Sequence, residues 1–184
     1  MANFENKTAI IRNAEMFFVK LDPARPSATF NKENPTWEAQ IRTRNKQQAK
    51  EWKELNLKVT PKEDDDGIFY AANLKKKSKK RDGTDMVAPN VVSGDLSPID
   101  PKTIGNGSIG NLSVYQYSYD VNGKSGIASM LMGVQITTLN EYTPRPKQGG
   151  FEMEAFTVNK ISDNQEVDAD MIGTVDDLDD EINF

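Results

Sequence analysis

Six of the seven residues at positions 75–81 are cationic: Lys75, Lys76, Lys77, Lys79, Lys80 and Arg81, interrupted only by Ser78. A run this dense can displace the counterions condensed on nucleic acid, so phosphate contact is the chemistry it offers. A solvated loop or a nuclear localisation signal has the same composition. Flat rings lie beside these and other bases. Phe69 and Tyr70 lead into the run, Trp37 shares a stretch with Arg42 and Arg44, and Tyr115, Tyr117 and Tyr119 recur at every second residue. Rings for base stacking and cations for the backbone are the two parts of single-strand recognition. Each ring also has an ordinary place in a core, Trp37 with Ala39 and Ile41 above all.

Other chemistries are excluded by type. The 184 residues contain no Cys and no His. Disulfides, thiolate nucleophiles, zinc fingers and Ser-His-Asp catalysis are therefore out. The acids of the body cluster mainly at Glu63, Asp64, Asp65 and Asp66, before Gly67. Read as a calcium loop, that run would put Lys62 at the first ligand position, which fails the pattern. No acids pair at strand ends as a metal-dependent nuclease would need. No metal, no cofactor and no enzyme activity are expected.

The net charge of −5 averages two unlike parts. Residues 161–184 hold nine acids and no base, whereas residues 1–160 hold all 23 bases with 19 acids. Dense like charge and few aromatics predict a disordered tail. Its end, Asp176-Asp177-Leu178-Asp179-Asp180-Glu181-Ile182-Asn183-Phe184, sets apolar side chains among acids and finishes on Phe. Asp176, Asp177, Asp179, Asp180, Glu181, Ile182 and Phe184 thus form a candidate peptide ligand: bases attract it and a pocket takes the ring.

The elements that must position these groups are mostly strands. Residues 16–21 (MFFVKL) read as a first strand, ended by Asp22-Pro23. Residues 37–44 alternate, with Trp37, Ala39, Ile41 and Thr43 on one face and Glu38, Gln40, Arg42 and Arg44 on the other. Residues 45–57 change period: Ala49, Trp52 and Leu55 predict a short helix with Asn45 as N-cap. Residues 61–67 read as a loop, residues 68–74 as a strand, and 75–81 as a strand end or hairpin tip. Residues 86–92 read as the returning strand, demoted to an edge by Pro89. Residues 112–119 alternate strictly, Asn122-Gly123 is a hairpin turn, and residues 126–142 return with a bend at Gly133. No β-α-β series appears. An OB-fold-like five-stranded antiparallel barrel with one short helix fits, with a β-sandwich as the alternative.

Residues 1–142 are read as that domain, 143–160 as a linker or docking segment, and 161–184 as the acidic interaction tail. No window of about 18 apolar residues is present, so no membrane span is expected. The first residues, MANFENK, do not read as a signal peptide, which predicts a cytoplasmic protein.

Several short runs resemble the late hairpin of the bacteriophage single-stranded DNA-binding proteins of the podophage replication kind. They are Ile104-Gly105-Asn106-Gly107-Ser108-Ile109, Tyr115-Gln116-Tyr117, Gly123-Lys124-Ser125-Gly126-Ile127 and Gly133-Val134-Gln135. The ending DDLDDEINF is similar in kind to that family's tails. The resemblance implies a protein that coats single-stranded DNA in phage replication and recombination. It also implies a tail that contacts replisome proteins (DNA polymerase, helicase or primase) and competes for the DNA groove, and self-association as a homodimer. Read from the residues themselves as a single-strand binder, Arg42, Arg44 and the six bases of residues 75–81 would meet phosphates. Tyr70, Tyr115, Tyr117 and Trp37 would stack on bases. A phage structural or assembly module that docks proteins is the alternative.

Overall fold

The computed structural model describes residues 4–144. Apart from residues 143 and 144, the expected linker and acidic tail, with Asp176–Glu181, Ile182 and Phe184, lie outside the described residues.

β1 (Lys7–Lys20) starts nine residues before the strand expected from the sequence. The alternation is hidden there because β1 is bulged twice. Its buried residues run Ala9, Ile11, then Ala14, Met16, with a register shift between Ile11 and Ala14 and another between Phe17 and Lys20. A bulge inserts one residue and breaks the period of two. Asn13 and Phe18 sit at these shifts with φ of 50° and 52°. Each is held in the same way: Asn13 N–H donates to Asn111 Oδ1 at 3.0 Å, and Phe18 N–H to Asn106 Oδ1 at 2.8 Å.

β2 (Thr36–Thr43) follows the expected facing, with Trp37, Ala39, Ile41 and Thr43 buried. α1 (Lys46–Glu54) is capped by Asn45, whose side chain accepts from the N–H groups of Gln47 and Gln48. Ala49 and Trp52 are its buried residues. β3 (Thr60–Asp64) replaces the expected loop. It has no apolar face to read, because every residue is exposed; it forms only as an edge strand on β4, where Pro61 is tolerated.

β4 (Gly67–Lys77) runs three residues into the basic stretch. β5 (Asn90–Ser93) does not return beside β4 as expected but pairs parallel with β7. β6 (Ser108–Val121) and β7 (Lys124–Thr138) form the late hairpin. Asn122 and Gly123, with φ of 54° and 74°, make the turn that needs positive φ at both positions. β7 bends where Ser113 faces Gly133 and Val114 faces Leu131, leaving Met132 over.

The strands lie in the order β3-β4-β2-β1-β6-β7-β5, and a parallel pairing of β4 with β7 closes five of them into a barrel. Following partners around the barrel goes from Thr8 through Tyr115, Met130, Lys75 and Glu38, and returns to β1 at Lys20. That stagger tilts the strands and closes the sheet. The closure rules out the β-sandwich: this is the OB-type barrel. Ile11, Met16, Ile41, Leu74, Leu112, Val114 and Leu131 fill it. Among the described residues no helix is long and apolar enough to cross a membrane.

Candidate functional site

Residues directly opposite each other on paired strands share a face. The outer face of β2 and β4 therefore carries Glu38, Gln40 and Arg42 opposite Lys75, Asn73 and Ala71, with Phe69 two residues before Ala71 on the same face. β1 adds Phe17, Phe18 and Lys20, the β1–β2 loop adds Phe30, and β3 adds Lys62. A groove of about 320 Å³ lies among Phe18, Lys20, Phe30, Lys62, Asn73 and Lys75. Two rings on it are bare: Phe18 is 55% and Phe30 78% exposed. Lys75 Nζ lies 4.6 Å from the Phe30 ring centre.

Arg42 anchors the groove. Its guanidinium sits 4.2 Å from the Phe17 ring centre, 4.8 Å from Phe69 and 5.1 Å from Phe18. Its Nε donates to Gln40 Oε1 at 2.6 Å, and Gln40 Nε2 donates to Asn73 Oδ1 at 2.9 Å. Arginine only donates, so it sets both amide orientations. The Asn73 amino group is left as the open donor of the relay.

Phe18 is costly to hold. A bulky residue at positive φ is an outlier, worth about 1–3 kcal/mol of strain, and such strain gathers at functional sites. Here the bulge and Asn106 impose it, and the result is a ring aimed outward.

The residues predicted from sequence divide sharply. Lys75 and Lys77 stay exposed on β4, and Lys79, Lys80 and Arg81 are exposed beyond its end. Asn34 ties that end to the β1–β2 loop: its Nδ2 donates to Lys79 O, and its Oδ1 accepts from Lys79 N–H. The basic run thus adjoins the loop that carries Phe30.

The structure places four candidates away from the bare rings or in the hold of other groups. Lys76 faces inward opposite Trp37, is only 6% exposed, and its burial lowers its pKa. Strand alternation alone turns it away from its neighbours. Trp37 is 4% exposed in the core, with Nε1 donating to Asp22 O at 3.0 Å, so it offers no face for stacking. Tyr70 shares the interior side with Thr43 and is half-buried; Phe69 takes the outer face instead, but under Arg42. Arg44 is already paired: NH2 meets Asp64 at 2.7 and 2.9 Å and NH1 meets Gly67 O at 3.1 Å. The Asp64 hydrogen bond raises the Arg44 pKa, and Arg44 in turn holds Asp64 below the usual carboxylate range.

Tyr115 and Tyr117 lie on the outer face of β6 and stack on each other at 6.1 Å. In the barrel order β6 is separated from β2 by β1 and from β4 by β7. Their face is therefore on the far side of the barrel from the groove, and the structure does not join them to Arg42.

Phe17, Phe18, Phe30, Lys20, Lys62, Gln40 and Asn73 were not singled out from sequence. Met16-Phe17-Phe18-Val19 looks like a plain apolar strand. The one legible signal was Phe30, an aromatic in a Pro-flanked loop where no core demands it.

No family model and no curated protein matches the chain. Solved structures do. The single-stranded DNA-binding protein of bacteriophage Enc34, in complex with single-stranded DNA, matches at TM-score 0.50 and 14% identity, over 73% of this chain and 88% of that one. The chain has the fold of a phage single-stranded DNA-binding protein. Another Enc34 structure matches at TM-score 0.48 and 14% identity, over 81% and 89% of the two chains. Bacteriophage T7 gp2.5, a single-stranded DNA-binding protein, matches at 0.46 and 15%, over 74% and 93%.

Proposed function

We propose that this protein binds single-stranded DNA without sequence preference and coats it during phage replication and recombination. The observation that carries the reading is the groove itself. Two bare rings, Phe18 and Phe30, stand among Lys20, Lys62 and Lys75 on the outer face of β2 and β4. In OB folds the second and third barrel strands and the loop joining the first two are the oligonucleotide-binding face. Here those strands are β2 and β4, and that loop carries Phe30. Bases stack on the rings; Lys62, Lys75, Lys77, Lys79, Lys80 and Arg81 meet phosphates. Binding, not catalysis, is the role.

The acidic residues 176–181, ending through Ile182 to Phe184, are proposed to recruit replication proteins such as a polymerase or a helicase-primase. The support is composition: an apolar tip on a strongly negative segment suits a basic, pocketed partner.

The test is fluorescence anisotropy of labelled oligo-dT at two salt concentrations, with a duplex of equal length as control. The expected result is tight, salt-sensitive binding to the single strand and weak binding to the duplex. No binding by the full chain or by a chain lacking residues 176–184 overturns the reading and leaves a protein-docking module. A chain lacking those residues is expected to keep its DNA affinity and lose capture of replication proteins.

A further inference from the structure

Phe18 and Lys20 line two grooves at once. One is the groove of the β2–β4 face; the other, of about 500 Å³, continues past Phe18 with Arg25, Lys102, Asn106 and Tyr142 on its walls. The geometry points to this second groove as a further subsite for single-stranded polynucleotide: Arg25 meets a phosphate, and Tyr142 offers a ring to one more base. The inference rests on the single-strand reading above and extends its path.

Three features support a built continuation. Asn106, on the wall of the second groove, is the residue that fixes Phe18 N–H, so the ring dividing the two grooves is positioned from the second one. Tyr142 is 58% exposed yet starts from a pinned backbone: its N–H donates to Thr103 O at 2.8 Å, and its neighbour Glu141 bridges Ile104. Its ring is thus presented from a fixed stretch of backbone. The charge also fits. The carboxylate in this groove, Asp22, already accepts from Ala24 N–H at 3.0 Å and faces Lys102 at 3.7 Å. Arg25 is exposed and, among the described residues, has no ion pair to give up on meeting a phosphate.

A ligand that runs through both grooves must be long enough to do so. The full chain is titrated by anisotropy against labelled oligo-dT of about 4 and about 16 nucleotides, the span of site sizes for one OB fold. Arg25→Ala and Tyr142→Ala are expected to weaken the longer probe about fivefold or more and to leave the shorter one within about twofold. Arg25→Lys keeps the charge and restores most of the loss, whereas Phe18→Ala weakens both probes. Equal losses at both lengths, or none, overturn the second subsite while the single-strand reading stands. Absence of wild-type binding at either length overturns the single-strand reading, and this inference with it. All three positions are exposed, and unchanged thermal midpoints confirm that the variants fold.

Discussion

On the outer face of β6, Tyr115 and Tyr117 stack on each other 6.1 Å apart, with their ring faces partly spent on that contact. On the opposite side of the barrel, Phe18 and Phe30 stand bare beside a common groove, with Arg42 at one ring and Lys75 at the other. Both faces carry two aromatic rings close together, but the Tyr pair comes from one strand and the Phe pair from β1 and the β1–β2 loop. The β2–β4 face gathers exposed rings, cations and the Asn73 amide donor at one place, although Phe18 also meets Phe17 with ring centres 6.5 Å apart. A stacking site needs that convergence, because a ring without a nearby cation holds a base but not its phosphate.

The sharpest way to break this contrast starts with Trp37, which shares β2 with Arg42 but faces the interior. Trp37→Ala removes a core side chain and its hydrogen bond to Asp22, and is expected to cost about 3–5 kcal/mol of stability in chemical denaturation. A loss confined to DNA affinity, with stability kept, would put Trp37 on the ligand instead.

Next in size are the two faces themselves. Phe18→Ala and Phe30→Ala are each expected to lower oligo-dT affinity by about 1–3 kcal/mol, roughly 5- to 150-fold. Tyr115→Ala and Tyr117→Ala are expected to change it less than about twofold. The reverse ranking would move the site to β6. Phe18→Gly adds a second reading: it removes the ring but suits a φ of 52°, so the thermal midpoint should hold or rise while affinity falls.

Charge removal separates exposed from buried lysines. Each phosphate contact contributes about 0.7 to the salt slope of single-strand binding. Replacing Lys75, Lys79, Lys80 and Arg81 together should lower that slope measurably; Lys76→Met should leave it unchanged. A slope unmoved by the fourfold replacement would return the basic run to a solvated loop.

The smallest effect concerns Arg44. Arg44→Ala should leave affinity within about twofold, since its guanidinium is engaged by Asp64. The Asp64 carboxyl should then titrate at higher pH in an NMR titration, because its largest depressing cause is gone. A depressed carboxylate stabilises the fold above its unfolded pKa, and that contribution disappears as pH falls through the folded value. In the variant the acid loss should shrink.

Sequence patterning was enough for the elements whose signals are local. The facing of β2, the Asn45 cap of α1, the Asn122-Gly123 turn and the alternation of the Tyr stripe were all legible, because side-chain period, capping and positive φ are properties of neighbouring residues. The barrel was legible as well, and the proposed site keeps the rings and bases expected of it but not their positions. The site's location was not legible. The start of β1 was masked by two bulges, β3 has no apolar face, and β5 chose β7 across a crossover. Above all, which strands become neighbours is settled by closing the sheet. That closure sets β6 opposite β2, while the pairing of β1, β2, β4 and β3 spends Arg44 on Asp64 and brings Phe18, Phe30 and Lys75 from three separate stretches of chain to one groove.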